Sequence, residues 1–289
     1  MSAQLDTAKI RSTSYLAGQS RVSKPWAVKL FAISSIFLGW WVASEFIAGS
    51  DIRNPDNVLP SPLTVLLSWE DVGSFSISKD PAILVLVSHI FQSLVRLLGG
   101  LLIGTAVGLI VGLVICSGNA TRAFLEPTVL AIRTIPIFAL IPLFLTWFGG
   151  AEVGIYAFIS FAVFSMVTVN TLEAYRNVPA VLKDYASTLG AKKSRIMYSV
   201  IVPSMVPELV GAGRVVIGLS WSLLLAGEFL AAQTGIGYML IQARQFSNLG
   251  LMLFLVVVLA LATWSMDLSF RIVAKKVTAW APAELDAKA

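Results

Sequence analysis

RNVPAVLKDYASTLGAKKSRIMYSVIVP, residues 176–203, is the longest polar interruption between two apolar spans in the second half of the chain. Its own punctuation marks a short helix. Pro179 falls where a first helical turn tolerates a missing N–H. Leu182, Tyr185, Ala186 and Leu189 recur at helical spacing and make one apolar stripe, with Lys183, Asp184, Ser187 and Thr188 off it. Gly190 stands where a left-handed stop residue is wanted, and the cations Lys192, Lys193 and Arg195 follow. A segment this short and charged cannot cross a bilayer. It reads either as an amphipathic helix lying in the lipid interface or as a docking knob for a soluble partner.

On either side of this stretch the chain is strongly apolar. Of its 289 residues, 57% are hydrophobic and 13% charged, against about 25% charged in a soluble domain. Runs near the length that crosses ~30 Å of hydrocarbon recur along it. The expected spans are Val28–Ala48, Ser88–Cys116, Ile135–Phe148, Gly154–Leu172, Met205–Ala231 and Leu249–Val273. None alternates as barrel strands do. The fold class is therefore an all-α polytopic membrane protein with about six transmembrane helices. In the third span Pro127, Pro136 and Pro142 interrupt the backbone ladder, and an interfacial helix is expected before Ile135. Gly100, Gly104, Gly108 and Gly112 form a four-residue repeat in the second span, a face that another helix can approach closely.

The net charge of +5 is explained by sidedness rather than by nucleic acid. With the N-terminus inside, six spans put fifteen of the 21 Lys and Arg on the cytoplasmic side, including the tails and the 176–195 loop; only Arg53, Lys79 and Arg244 fall outside. Residues 1–25 are expected to be a disordered tail, and 26–84 the first transmembrane helix with an external segment. The single cysteine, Cys116, lies in an apolar run and reads as an inert buried thiol.

No phosphate-binding loop, metal-spaced cluster or nucleophile motif is present, and His89, the one histidine, reads as a structural hydrogen-bonding group. The chain is read as no enzyme by itself, with no metal or cofactor site. The charges inside the spans are the better functional candidates, since each is costly at bilayer depth. Arg214 and Glu228 are fourteen residues apart, ~21 Å of helix on one face. With Ser220 and Trp221 between them, and with Arg133, they either line a substrate pathway that attracts an anion or act as locks between helices. Arg96 is expected to snorkel at an interface.

The spacing D-Y-A-x-x-x-G (Asp184 to Gly190), nine further residues, then V-x-V-P (Val200 to Pro203) resembles the EAA loop of binding-protein-dependent ABC importers. Asp184 and Tyr185 depart from the family's Glu and Ala, while Ala186, Gly190 and Pro203 keep their places. The resemblance runs from about His89 to about Arg271. LPSPLTV (59–65), RTIPIFALIPLFLTWFG (133–149), GLSWSLLLAGEFLAAQTGIGYML (218–240) and VTAWAP (277–282) are similar to the nitrate, sulfonate, taurine and bicarbonate branch. That branch also includes carriers of pyrimidine thiamine precursors.

The resemblance implies a type I importer-like permease core at 85–275, with a cytoplasmic coupling loop at 173–198 and a cytoplasmic tail at 276–289. It implies a bacterial inner-membrane protein with both termini cytoplasmic, moving a small anion, taurine or another sulfonate, inward. Its coupling residues would be Pro179, Leu182, Asp184, Tyr185, Ala186, Leu189, Gly190 and Pro203. Its partners would be a second permease copy, two cytoplasmic ATPase subunits that hold ATP and Mg, an extracytoplasmic binding protein, and lipid. An ion-coupled secondary transporter is the rival class; it would want an inverted repeat and mid-membrane carboxylates, of which only Glu228 qualifies.

Overall fold

The computed structural model describes residues 25–50, 54–75, 80–149 and 151–281. Residues 1–24 of the expected tail, the end of the C-terminal tail and the external cations Arg53 and Lys79 lie outside these, while Pro25 already belongs to the first helix. The chain divides into two units, residues 1–64 and 65–289. In the first, α1 (Pro25–Ala48) is apolar all round, as a lipid-facing helix must be, and Trp40 Nε1 donates to the Pro60 carbonyl at 3.1 Å. A short helix, α2 (Pro62–Leu67), crosses the division.

The second unit is built on two long helices, α3 (Ala82–Ser117) and α6 (Ala151–Asn177). Between them the chain returns through α4 (Asn119–Arg133), a 3₁₀ turn at Ile137–Leu140, and α5 (Ile141–Trp147). It then runs through α7 (Ala180–Thr188), α8 (Lys193–Ile196) and a π turn at Met197–Ile201 into α9 (Val202–Ala231). A short α10 (Ile236–Gln245) and a long α11 (Leu249–Val277) complete the unit. No strand occurs among the described residues. Among the described residues, five helices are long and apolar enough to cross a membrane, or six if the bent pair α4 and 137–147 counts as one span. This is the polytopic all-α chain that the hydropathy predicts. The bend measures 87° and falls at Ile135-Pro136, where the proline has no N–H to give and its predecessor is pushed out of helical geometry.

Lipid supplies little drive to press helices together, so close fit must. The glycine row of α3 provides it. A Cβ at Gly100 would meet Ile159, at Gly104 Val163, at Gly108 Val167 and at Gly112 Thr171, each within 2.8 Å. Both series advance by four, so α3 and α6 run parallel with the backbone of one seated on the side chains of the other. Thr168 Oγ1 reaches the Gly108 carbonyl at 3.3 Å across the seam. The other side of α6 takes α9, where Val216, Trp221, Leu223 and Leu224 join Ile155, Phe158 and Ile159 in the main core. Phe144 of α5 closes it, its ring 5.3 Å from Phe161 and 6.0 Å from Phe158. A second cluster (Val72, Val85, Ile236, Met239, Leu240, Leu251, Leu255) seats α10 at the end of the bundle opposite α7.

Leucine at position 104 has no room, because its Cβ alone would stand 2.6 Å from the Ser160 carbonyl oxygen. Gly104→Leu is expected to cost about 1–3 kcal/mol and to lower the thermal midpoint in detergent. Gly218→Ala, whose Cβ meets nothing within 4 Å, should leave the midpoint unchanged or slightly raised.

Candidate functional site

The helix expected in the polar loop is present as α7, and it buries none of its residues. Pro179 is its N-cap, one position earlier than the first-turn place that the sequence suggests. The stripe of Leu182, Tyr185 and Leu189 faces away from the chain, with Tyr185 70% and Leu189 83% exposed. The helix ends as its glycine requires. Gly190 has φ +77°, its N–H donates to the Ser187 carbonyl at 2.9 Å, and the Ala191 N–H donates back to Ala186 at 3.1 Å. This paired closure needs a left-handed residue at position 190. A Cβ there would meet no atom within 4 Å, so the demand on Gly190 is conformational and not steric. Downstream, Pro203 sits in the first turn of α9, where a missing N–H is tolerated, directly after the wide π turn.

The residues expected on a substrate pathway fall in two settings. Arg133 is largely exposed at the end of α4, with Nη1 3.5 Å from Glu173 Oε1. Arg214 is half-buried and its Nε donates to Asp267 of α11 at 3.1 Å; Asp267 also pairs with Arg271. Ser220, Trp221 and Glu228 are instead buried in the helix packing. The Ser220 hydroxyl donates to the Val216 carbonyl at 2.7 Å, and Trp221 sits in the main core with Nε1 lacking a hydrogen-bond partner among the described residues.

Glu228 belongs to a buried ionic network whose centre is Arg96. Nη1 of Arg96 donates to Glu228 Oε1 and to the Thr234 carbonyl, both at 2.7 Å. Nη2 donates to Thr234 Oγ1 at 2.6 Å and to Glu152 Oε1, and Nε donates to Glu152 Oε2 at 2.8 Å. All five guanidinium N–H groups are thus used. Glu228 in turn accepts from Ser93 Oγ and from the Gly237 N–H, each at 2.8 Å. Ser93 Oγ accepts from the Ile236 N–H and His89 Nδ1 from the Gly235 N–H, each at 2.9 Å. Three of the four free N–H groups at the start of α10 are therefore capped by side chains of α3 and α9. Gly235 (φ +108°) and Gly237 leave room for this: a Cβ on either would strike the Glu228 side chain.

This corrects the expectation for Arg96. It does not snorkel; it is 2% exposed. The helix begins at Ala82 rather than near Ser88, so Arg96 lies fourteen residues in, ~21 Å from the helix start and beyond the reach of its own side chain. In the sequence the network shows only as a spacing. His89, Ser93 and Arg96 stand at i, i+4 and i+7, a polar face on an otherwise apolar helix. The partners Glu152, Thr234 and the two glycines carry no local sign of the pairing.

Residues 100–279 match the family described as binding-protein-dependent transport system inner membrane component. The chain is 30% identical to the putative aliphatic sulfonates transport permease protein SsuC of Bacillus subtilis, over 77% of this chain and 78% of that protein. It is 26% identical to the taurine transport system permease protein TauC of Escherichia coli, over 90% and 91% of the two chains. A solved inward-facing structure of the MetNI methionine ABC transporter superposes with a TM-score of 0.56 at 21% identity, covering 66% of this chain and 95% of that one; the likeness is one of fold.

Removing Arg96 leaves Glu228 buried without its cation. Arg96→Met is expected to destabilise the bundle by about 3–5 kcal/mol, whereas Glu152→Gln, at the exposed carboxylate, should cost no more than about 1 kcal/mol. A double-mutant cycle with Glu228→Leu, read by denaturation in micelles, should show the pair costing less than the sum of its singles.

Proposed function

Because this chain belongs to the family of binding-protein-dependent transport system inner membrane components, we propose that it is the permease subunit of an ATP-driven importer in the bacterial inner membrane, with a small sulfonate such as taurine as its cargo. As a member of that family it is a multi-pass transport component rather than an enzyme. The observation that carries the importer reading is α7, a helix whose apolar stripe is turned outward and whose end is set by a left-handed glycine. The stripe suits the groove of a soluble partner, and the partner proposed is an ATPase subunit, which would hold ATP and Mg. Pro179, Leu182, Asp184, Tyr185, Ala186, Leu189 and Gly190 would meet it, with Pro203 fixing where α9 begins.

Orientation is proposed from charge. Arg122, Arg176, Lys183, Lys192, Lys193, Arg195, Lys275 and Lys276 all gather at the α7 end of the bundle, which supports reading that end as cytoplasmic. Both termini are then cytoplasmic, and α10 faces the side from which a binding protein delivers its cargo. The assembly would contain a second copy of this permease and two ATPases. Closure of the ATPases would draw the two α7 helices together and tilt the spans, so that the pathway opens on alternate sides. The sulfonate reading is supported by what the relatives are named for and by the exposed guanidinium of Arg133 and the half-buried one of Arg214, which would attract an anion. Ser220, Trp221 and Glu228, buried as they are, would act on the pathway by holding α9.

The test is reconstitution. The chain, co-expressed with an ABC ATPase and a taurine-binding protein from the same genome, is placed in proteoliposomes and taurine uptake is followed with and without ATP. Uptake that needs ATP and the loaded binding protein is expected; uptake by the lone chain down an ion gradient would overturn the reading. In the same assay Gly190→Asp should insert normally and abolish ATP-dependent uptake. Gly190→Asn, which tolerates the left-handed region better, should retain part of it.

A further inference from the structure

α7 has no buried residue to anchor it, yet a helix that transmits force must be held by something. Among the described residues, the charged side chain that reaches from α7 to a neighbouring helix is Lys183. Its ammonium lies over the ring of Tyr175, 4.3 Å from the centroid. The same ring carries a second cation, the guanidinium of Arg122 at 4.7 Å. Tyr175 is on α6, Lys183 on α7 and Arg122 on α4, so one aromatic ring joins three elements. The ring is also packed against two apolar clusters, one formed by Ile115, Cys116, Val129 and Leu172 and the other containing Val178, Ile201 and Met205.

The Arg122 side chain depends on this ring. Its Nε is buried and donates no hydrogen bond, and its nearest carboxylate, Glu126 Oε2, is 3.6 Å away. Glu126 is itself engaged by Arg176. A guanidinium without a close hydrogen bond at Nε, set over an aromatic face, is held by the ring's quadrupole, by the Cys116 thiol beside it and by the diffuse field of the carboxylate. Two cations would repel each other, and the electron-rich ring between their helices is what lets them share one place.

We propose that Tyr175 is a positioning residue for energy coupling: its ring, shared by Lys183 and Arg122, ties α7 to α4 and α6 so that displacement of α7 is passed to both. α4 continues through the 87° bend into α5, whose Phe144 packs on Phe158 and Phe161 in the main core. A pull on α7 thereby reaches both arms of the bent segment. Without the ring, α7 loses its tie to α4 and α6 and keeps only its contacts with α8 and the π turn, and motion of the partner is wasted. This rests on the importer reading above, in which α7 meets an ATPase.

Two measurements separate the proposals. In the first, the reconstituted importer is assayed for taurine delivered per ATP hydrolysed. Tyr175→Leu, which keeps apolar bulk without a π face, and Lys183→Gln, which leaves the core untouched, should each lower that ratio about threefold to tenfold. Tyr175→Phe, which keeps the ring, should restore it. A wild-type ratio in Lys183→Gln, or Tyr175→Phe as damaged as Tyr175→Leu, would overturn the proposal. In the second, spin labels at Thr128→Cys on α4 and Ser187→Cys on α7, with the buried Cys116 left in place, report the distance between the helices in the purified full chain. The distribution should broaden in Tyr175→Leu and in Lys183→Gln and stay narrow in Tyr175→Phe; no broadening overturns the clamp. If the wild-type chain assembles no ATPase, the importer reading falls, and the label distances still decide whether the clamp exists.

Discussion

A guanidinium placed deep among helices must have every donor answered, and here that demand organises one whole end of the molecule. Arg96 answers it with two carboxylates, a hydroxyl and a carbonyl drawn from α6, α9 and the α9–α10 turn. Satisfying the arginine therefore requires α9 to stop at Ala231, the chain to turn at Gly235 and α10 to fold back against α3. The same carboxylate that neutralises Arg96 accepts an N–H at the start of α10, where the helix carries partial positive charge. Ionic pairing and helix capping are thus one structure. Neither half stands without the other: an uncapped α10 would leave buried N–H groups, and an unpaired Glu228 would leave a buried charge.

The two ends of the bundle solve opposite problems. At the α10 end the polar groups are enclosed and matched to one another, which makes a firm closure. At the α7 end the polar groups are cationic and partly open, and an apolar stripe is left uncovered. Between them lies a middle assembled with little help from the hydrophobic effect, since lipid is as apolar as the side chains. There the chain relies on small residues that bring backbones close, with Gly100, Gly104, Gly108 and Gly112 against α6 and Gly227 against Ile155 of the same helix.

How much of this could be read beforehand depends on the range of the cause. Local causes were legible: the stripe of α7, the left-handed stop at Gly190, the break at Pro136 and the close-packing face of α3 each follow from residues within a turn or two. The family resemblance rested on that same local spacing. Distant pairings were not legible. Arg96 and Glu228 are 132 residues apart, and each by itself looks like an isolated cost. The start of α3, six residues earlier than hydropathy places it, decided the depth of Arg96 and hence its partners. The π turn at 197–201 left no mark either, because one widened turn does not disturb an apolar run. The polar face at 89, 93 and 96 is the one local trace of that pairing.

The glycine seam of α3 has a consequence for how such a bundle can change shape. Each glycine is indexed to one side chain of α6, and the next equivalent seat along the seam is four residues away, ~6 Å of travel. Any smaller slip would drive a methyl-bearing carbon against backbone. The pair is thus notched like a rack, and α3 and α6 cannot creep past one another by small amounts. They must swing together as a single stiff plate, with the remaining helices turning around it.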